Sequence, residues 1–97
     1  MVNAQEWLDS NYPLEERKEI KKLCINKKKL QGHLNLFDFV NLKKLNCSEN
    51  ALTSIYLSNN KNMKRIDCSN NLLTDIDFSY QNSRKLEEIM IINNNLS

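Results

Sequence analysis

Four stretches of the chain share one beat. Ile20, Leu23, Ile25 and Leu30 stand in IKKLCINKKKL, and Leu42, Leu45, Cys47, Asn50 and Leu52 in LKKLNCSENAL. Met63, Ile66, Cys68, Asn71 and Leu73 stand in MKRIDCSNNLL, and Leu86, Ile89, Ile91, Asn94 and Leu96 in LEEIMIINNNL. Their first residues, Ile20, Leu42, Met63 and Leu86, are 22, 21 and 23 residues apart. A period of this length marks a stacked architecture, in which a unit buries its apolar side only against its neighbours. With 97 residues there is room for one such domain.

Inside each unit the beat has period two, that of a strand with one face inward. Leu45 and Cys47 are expected to point in, and Lys44, Asn46 and Ser48 out. Cysteine packs as a small hydrophobe, so Cys47 and Cys68 can stack inside, whereas Cys24, between Leu23 and Ile25, should point outward. Asn50, Asn71 and Asn94 fall where the chain leaves the strand. There an amide can bond turn backbone that would otherwise be buried unpaired, and stacking lines these residues into a ladder. The first unit has Lys28 in that place, so its turn is expected to be satisfied by solvent. The chain has one glycine and one proline, which leaves asparagine to do glycine's work in turns.

The second half of each unit, LTSIYLS (52–58) and LTDIDFS (73–79), is too short and too rich in Ser, Thr and Asp for a helix, and reads as extended or short β structure. LQGHLNLFDF (30–39) is the same element with an extra residue before Leu34. Ahead of the repeats, Asn3 followed by Glu6 has the spacing of a capping box. AQEWLDSN is then a short helix burying Trp7 and Leu8. Pro13 suits the start of a second helix, PLEERKEI, whose Leu14 faces the first unit.

The beat resembles the leucine-rich repeat, L-x-x-L-x-L-x-x-N/C-x-L, over residues 20–97. Its style is similar to short fungal and bacterial repeats of the LxxLxCxxNxLTxLDLS type. NAQEWLDSNYPLEERKEI is similar to the leader that precedes such repeats in a large fungal group. The resemblance implies an α/β solenoid, mostly β, a right-handed coil with a parallel concave sheet and an extended convex side. Residues 1–19 are expected to form a helical cap. Residues 20–97 are expected to form about four coils, the last incomplete.

The side chains do not suggest an enzyme. His33 is the sole histidine, and the Ser, Cys and Asp residues are explained by repeat positions rather than by convergence on a site. Cys24, Cys47, Cys68 and His33 contain no C-x-x-C pair, so no metal site and no cofactor is expected. The resemblance implies a non-catalytic protein–protein interaction module whose concave face offers Lys22, Lys44, Arg65, Asn46, Asp67 and Cys24. Lys21 and Lys22, Lys43 and Lys44, and Lys64 and Arg65 recur in register and form a cationic stripe, which Glu87 and Glu88 end. Such a stripe suits an acidic protein surface or phosphate. Net charge is only +2 and no aromatic interleaves with the stripe, which argues against nucleic acid. The alternative is a self-associating unit, a homodimer joined through an apolar C-terminal edge made of Ile89, Met90, Ile91, Ile92 and Leu96. No stretch approaches a membrane span and no signal sequence is recognised. With three cysteines, this reads as a cytoplasmic or otherwise intracellular protein.

Overall fold

The computed structural model describes residues 1–74, 76 and 85–95. In chain order its elements are β1 (Val2–Asn3), α1 (Ala4–Asn11), a 3₁₀ turn (Leu14–Glu19), β2 (Lys22–Cys24), β3 (Leu30–Asn35), β4 (Lys44–Asn46), β5 (Ala51–Tyr56), β6 (Arg65–Asp67) and β7 (Glu88–Met90). They form two parallel sheets. One has the order β2-β4-β6-β7 and the other β1-β3-β5. Adjacent strands of the first sheet are successive coils of the repeat, so Leu23, Leu45, Ile66 and Ile89 stand in one row. The rest of the four-strand register follows from that row, because a one-residue slip would turn every apolar side chain outward.

Between the sheets lies a continuous core. Leu23, Leu45 and Ile66 enter from one side, Leu34 and Ile55 from the other, and Phe39 is the largest side chain fully enclosed. Cys47 and Cys68 are buried within it, and Cys24 is exposed. Ser48 was expected to face out but is buried. Its N–H and Oγ both donate to Asn46 Oδ1, at 3.1 and 2.6 Å, which turns the chain in as it leaves the strand.

The corners after β2, β4 and β6 are each built with an asparagine from the following coil. Asn50 Oδ1 accepts from the backbone N–H of Lys28 and Leu30, both at 3.1 Å, while its Nδ2 donates to Ile25 O in the first coil and Cys47 O in its own. Asn71 repeats the pattern one coil on, accepting from Leu52 N–H at 3.0 Å and donating to Cys47 O and Cys68 O. Asn94 accepts from Leu73 N–H and donates to Cys68 O and Ile91 O. This corrects the expectation for Lys28. Its turn does not depend on solvent, because Asn50 reaches back across the coil boundary to satisfy it. The residue before each corner position, Lys28, Asn50, Asn71 and Asn94, is left-handed: Lys27, Glu49, Asn70 and Asn93 all have φ between 54 and 56°.

The other sheet holds the longer strands, β3 and β5. Its register shifts between Gly32 and His33, so that Gly32 pairs with Leu52 and His33 with Ser54. The unpaired extra residue is therefore Thr53 of β5, not a residue before Leu34. Gly32 has φ +87°, a conformation that favours glycine. In LTDIDFS, the expected continuation of this face, Asp75 and residues 77–79 lie outside the described residues.

At the N-terminus, Asn3 Oδ1 accepts the Glu6 N–H at 3.0 Å and starts α1. Ala4 and Leu8, four residues apart on one helical face, are fully buried, and Trp7 is half-buried against the core. The helix ends before Tyr12, which Pro13 holds in extended backbone. Leu14 does not face the first coil. It is 62% exposed, and Arg17 is buried in its stead. The Arg17 guanidinium can enter because its donors are met: Nη2 lies 2.8 Å from Asp9 Oδ1 and Nε donates to Tyr12 O at 2.9 Å. It also covers the Phe39 ring, 5.4 Å from the centroid. The hydrogen bond from Arg17, with a further one from Gln5, holds the Asp9 carboxyl below the usual carboxylate range against a smaller opposing effect of burial.

Candidate functional site

Leucine, isoleucine and, at Cys47 and Cys68, cysteine at alternate positions turn the intervening side chains of β2, β4, β6 and β7 onto the sheet's other face. That face is hollow. A depression of about 250 Å³ is lined by Lys22, Cys24, Lys44, Leu45, Asn46, Arg65, Ile66, Asp67, Glu88 and Met90. The register sorts the outward residues into two rows. Lys22, Lys44, Arg65 and Glu88 form one, and Cys24, Asn46, Asp67 and Met90 the other. All six residues read from the sequence as a partner-binding set, Lys22, Lys44, Arg65, Asn46, Asp67 and Cys24, thus line one surface. Glu88 and Met90 join them. The cross-strand register with Arg65 and Asp67 reveals this, and a position count could have found it.

Several groups in the depression are already committed. Asn46 Oδ1 is held by Ser48, and Asp67 Oδ1 accepts the Ser69 N–H at 3.1 Å. These bonds fix the polar row at the exit of each strand. Lys22, Lys44 and Arg65 are exposed. Lys21, Lys43 and Lys64 flank them, their carbonyls accepting from the next coil. Charge along the first row is polarised, cationic at Lys22, Lys44 and Arg65 and anionic at Glu88, with Lys21, Lys43, Lys64 and Glu87 repeating the pattern beside it, while the second row carries one charge, Asp67.

The thiols divide sharply. Cys24 opens onto the hollow face. Burial pushes the Cys68 thiol up to about 12, with Asp67 adding to the effect. Burial also raises Cys47 well above the ordinary thiol value, with Cys68 and Asp67 contributing.

Elsewhere, His33 Nδ1 and Ser54 Oγ hydrogen-bond on the exposed face of the β3–β5 sheet, beside Tyr56. Among the described residues no hydrogen bond joins a third titratable side chain to this pair. Among the described residues no cluster of three or more His, Cys, Asp or Glu side chains is arranged to hold a metal ion. No helix among them is long and apolar enough to cross a membrane. The residues read as an association edge are divided by the structure. Ile89, Met90 and Ile92 are exposed, Ile91 is partly buried against the core, and Leu96 lies outside the described residues. The sequence reading missed Asn60, which is completely enclosed and donates through Nδ2 to Leu36 O at 2.7 Å and Phe39 O at 2.9 Å. In sequence it looks like any loop asparagine.

No curated protein and no solved structure matches the chain. Residues 40–80 match the family model for leucine-rich repeats, two copies, a span that holds the second coil and much of the third. The four parallel strands in repeat register agree with that match, which supports a leucine-rich-repeat protein.

Proposed function

We propose that the chain is a non-catalytic protein-interaction module that binds through the concave face of the β2-β4-β6-β7 sheet. The observation that carries this reading is the convergence of Lys22, Lys44, Arg65, Asn46, Asp67 and Cys24 on one depression. Four strands about 4.8 Å apart give a face roughly 15 Å wide. That is small against the roughly 800 Å² each partner buries in a stable complex. The module therefore binds weakly or as part of a larger surface. Residues 20–97 supply the coils, and residues 1–19 act as the cap, a division supported by the burial of Ala4, Leu8 and Arg17 against the first coil. The Asn50, Asn71 and Asn94 ladder holds the coils in register. Free cysteines fit an intracellular, reducing location.

Cys24 provides the test. It is the exposed thiol, so a thiol-directed photo-crosslinker attaches on the concave face of the native protein. The expected result is a crosslinked partner protein that is lost with Lys44→Glu and retained with Lys28→Glu. Equal capture by both variants, or by a cysteine placed at Tyr56 on the opposite sheet, would overturn the reading.

A second reading rests on the exposed apolar residues of the last described strand. Ile89 and Ile92 are 40% and 65% exposed, and β7 has a strand neighbour on one side only among the described residues. Self-association through this edge would cover them. Sedimentation at tens of micromolar decides between a dimer that Ile89→Lys dissociates and a monomer.

A further inference from the structure

The concave face has a spacing and a polarity, and the geometry points to an α-helix with an acidic stripe as its ligand, lying across the strands with a basic residue at the end over Glu88. This inference rests on the concave-face reading above and specifies the chemistry of the partner.

The spacing comes from the register. Lys22, Lys44, Arg65 and Glu88 occupy the same position on four adjacent parallel strands. Their backbones therefore lie at about 0, 4.8, 9.6 and 14.4 Å along the solenoid axis. A helix rises about 1.5 Å per residue. Residues i, i+3, i+7 and i+10 share one helical face and fall at about 0, 4.5, 10.5 and 15 Å. Each lies within about 1 Å of a strand in the row. An extended peptide repeats one face only every ~6.8 Å and drifts out of step after its first residue. Width agrees as well. Three-residue strands span about 10 Å, close to the diameter of one helix.

Polarity comes from the side chains. Three cations in the row, flanked by Lys21, Lys43 and Lys64, select carboxylates at i, i+3 and i+7. Glu88, flanked by Glu87, selects a lysine or arginine at i+10 and rejects a fourth carboxylate. Met90, 42% exposed and lining the same depression, offers an apolar contact beside that end. A helix bearing this pattern has one favoured direction, because reversing it sets carboxylate against Glu88. Phosphodiester chains have no basic end and meet the Glu87–Glu88 pair unfavourably.

The probe is a lactam-stapled, alanine-based helical peptide of 18 residues, with Glu at positions 4, 7 and 11 and Lys at 14. One control has the same composition with its charges spread around the helix. A second is interrupted by prolines and carries Glu at alternate positions. Titration followed by NMR at low salt is expected to show the one-faced helix binding about ten-fold tighter than either control, the effect of three exposed ion pairs. Lys44→Glu should reduce its binding by about ten-fold. Glu88→Lys should reverse the preference at position 14, favouring a peptide with Glu there. All the substituted side chains are exposed, so these variants retain the fold, which circular dichroism checks. If the proline-interrupted control binds as tightly with the same Lys44→Glu sensitivity, the helix is overturned while the concave-face reading stands. If no peptide produces shifts on β2, β4 or β6, this inference is overturned. The Cys24 crosslinking experiment then decides the broader reading independently.

Discussion

Asn71 and Asn60 are both asparagines sealed inside the molecule, and they stand on either side of β6. Asn71 stands where the chain leaves the inner strand. Its Oδ1 accepts from Leu52, and its Nδ2 lies within hydrogen-bonding distance of Cys47 O, Cys68 O and Ser69 O. Asn60 stands where the chain returns toward the next strand. Its Nδ2 meets two carbonyls of the preceding coil, but its Oδ1 is buried with no partner. The repeat explains the difference. The exit corner recurs with the same three-dimensional surroundings in each coil, so one residue type solves it at Asn50, Asn71 and Asn94. At the return the backbone bond recurs, Leu42 N–H to Phe39 O and Met63 N–H to Asn60 O, but among the described residues the side chain does not. The residue 21 positions before Asn60 is Phe39, fully buried beneath Arg17 and Tyr12. Symmetric corners are specified by repetition, and the unique one by its particular neighbours.

The largest effect should come from breaking the symmetric corner. Asn71→Ala leaves a buried N–H and several buried carbonyls unpaired, and is expected to cost about 3 kcal/mol in urea denaturation. It should also speed thiol labelling of Cys47 and Cys68, whose carbonyls the amide holds, without changing Cys24. In the intact protein Cys68 titrates near 12, against 9.0 for an unperturbed thiol. Protonation of the buried thiol therefore stabilises the fold fully below about pH 9, and the contribution is lost as pH rises toward 12. Labelling of Cys24 that is no faster than that of Cys47 at pH 8 would show that the inward register is wrong.

A smaller loss is expected at the unique corner. Asn60→Ala also strands two carbonyls, but it removes an amide oxygen that already lacks a partner, so about 1 kcal/mol is expected. A loss equal to that of Asn71→Ala would mean that Asn60 Oδ1 is satisfied by a buried water, and that the two corners are energetically alike.

The smallest effect has the opposite sign. Glu49 holds φ 54° at the position that Asn70 and Asn93 occupy in later coils. Asparagine tolerates the left-handed region better than glutamate does. Glu49→Asn gives up only the exposed 3.5 Å pair with Lys27, which is worth little. A gain of about 0.5 kcal/mol is expected in the denaturation midpoint. A loss would show that the Lys27–Glu49 pair matters more than the backbone does.

Much of this was legible because the repeat states its own register. Leu23, Leu45, Ile66 and Ile89 align in the sequence by counting, and in space by hydrogen bonding, because each coil must bury the same positions against the next. The same counting placed Lys22, Lys44 and Arg65 together on one face. It did not find Arg17, because a charged residue in a short leader reads as surface. Its burial depends on three groups far apart in sequence, Asp9, Tyr12 and Phe39, meeting around it. Thr53 was missed for a related reason. Leu30 and Leu34 are four residues apart where Leu52 and Ile55 are three, so the bulge can be assigned to either strand by counting, and only the pairing chooses.

By itself, then, the sequence determined the period, the inward and outward faces, the two buried thiols and the exposed one, and the rows of the concave face. All of these follow from local alternation repeated at a fixed interval. Tertiary structure alone decided which coil each asparagine stabilises. Lys28 needs no amide of its own because Asn50 lies one strand spacing away with both its oxygen and its nitrogen in reach. A side chain's partners across a coil boundary are set by the stacking distance and the direction of the turn, and neither is written in the order of the residues.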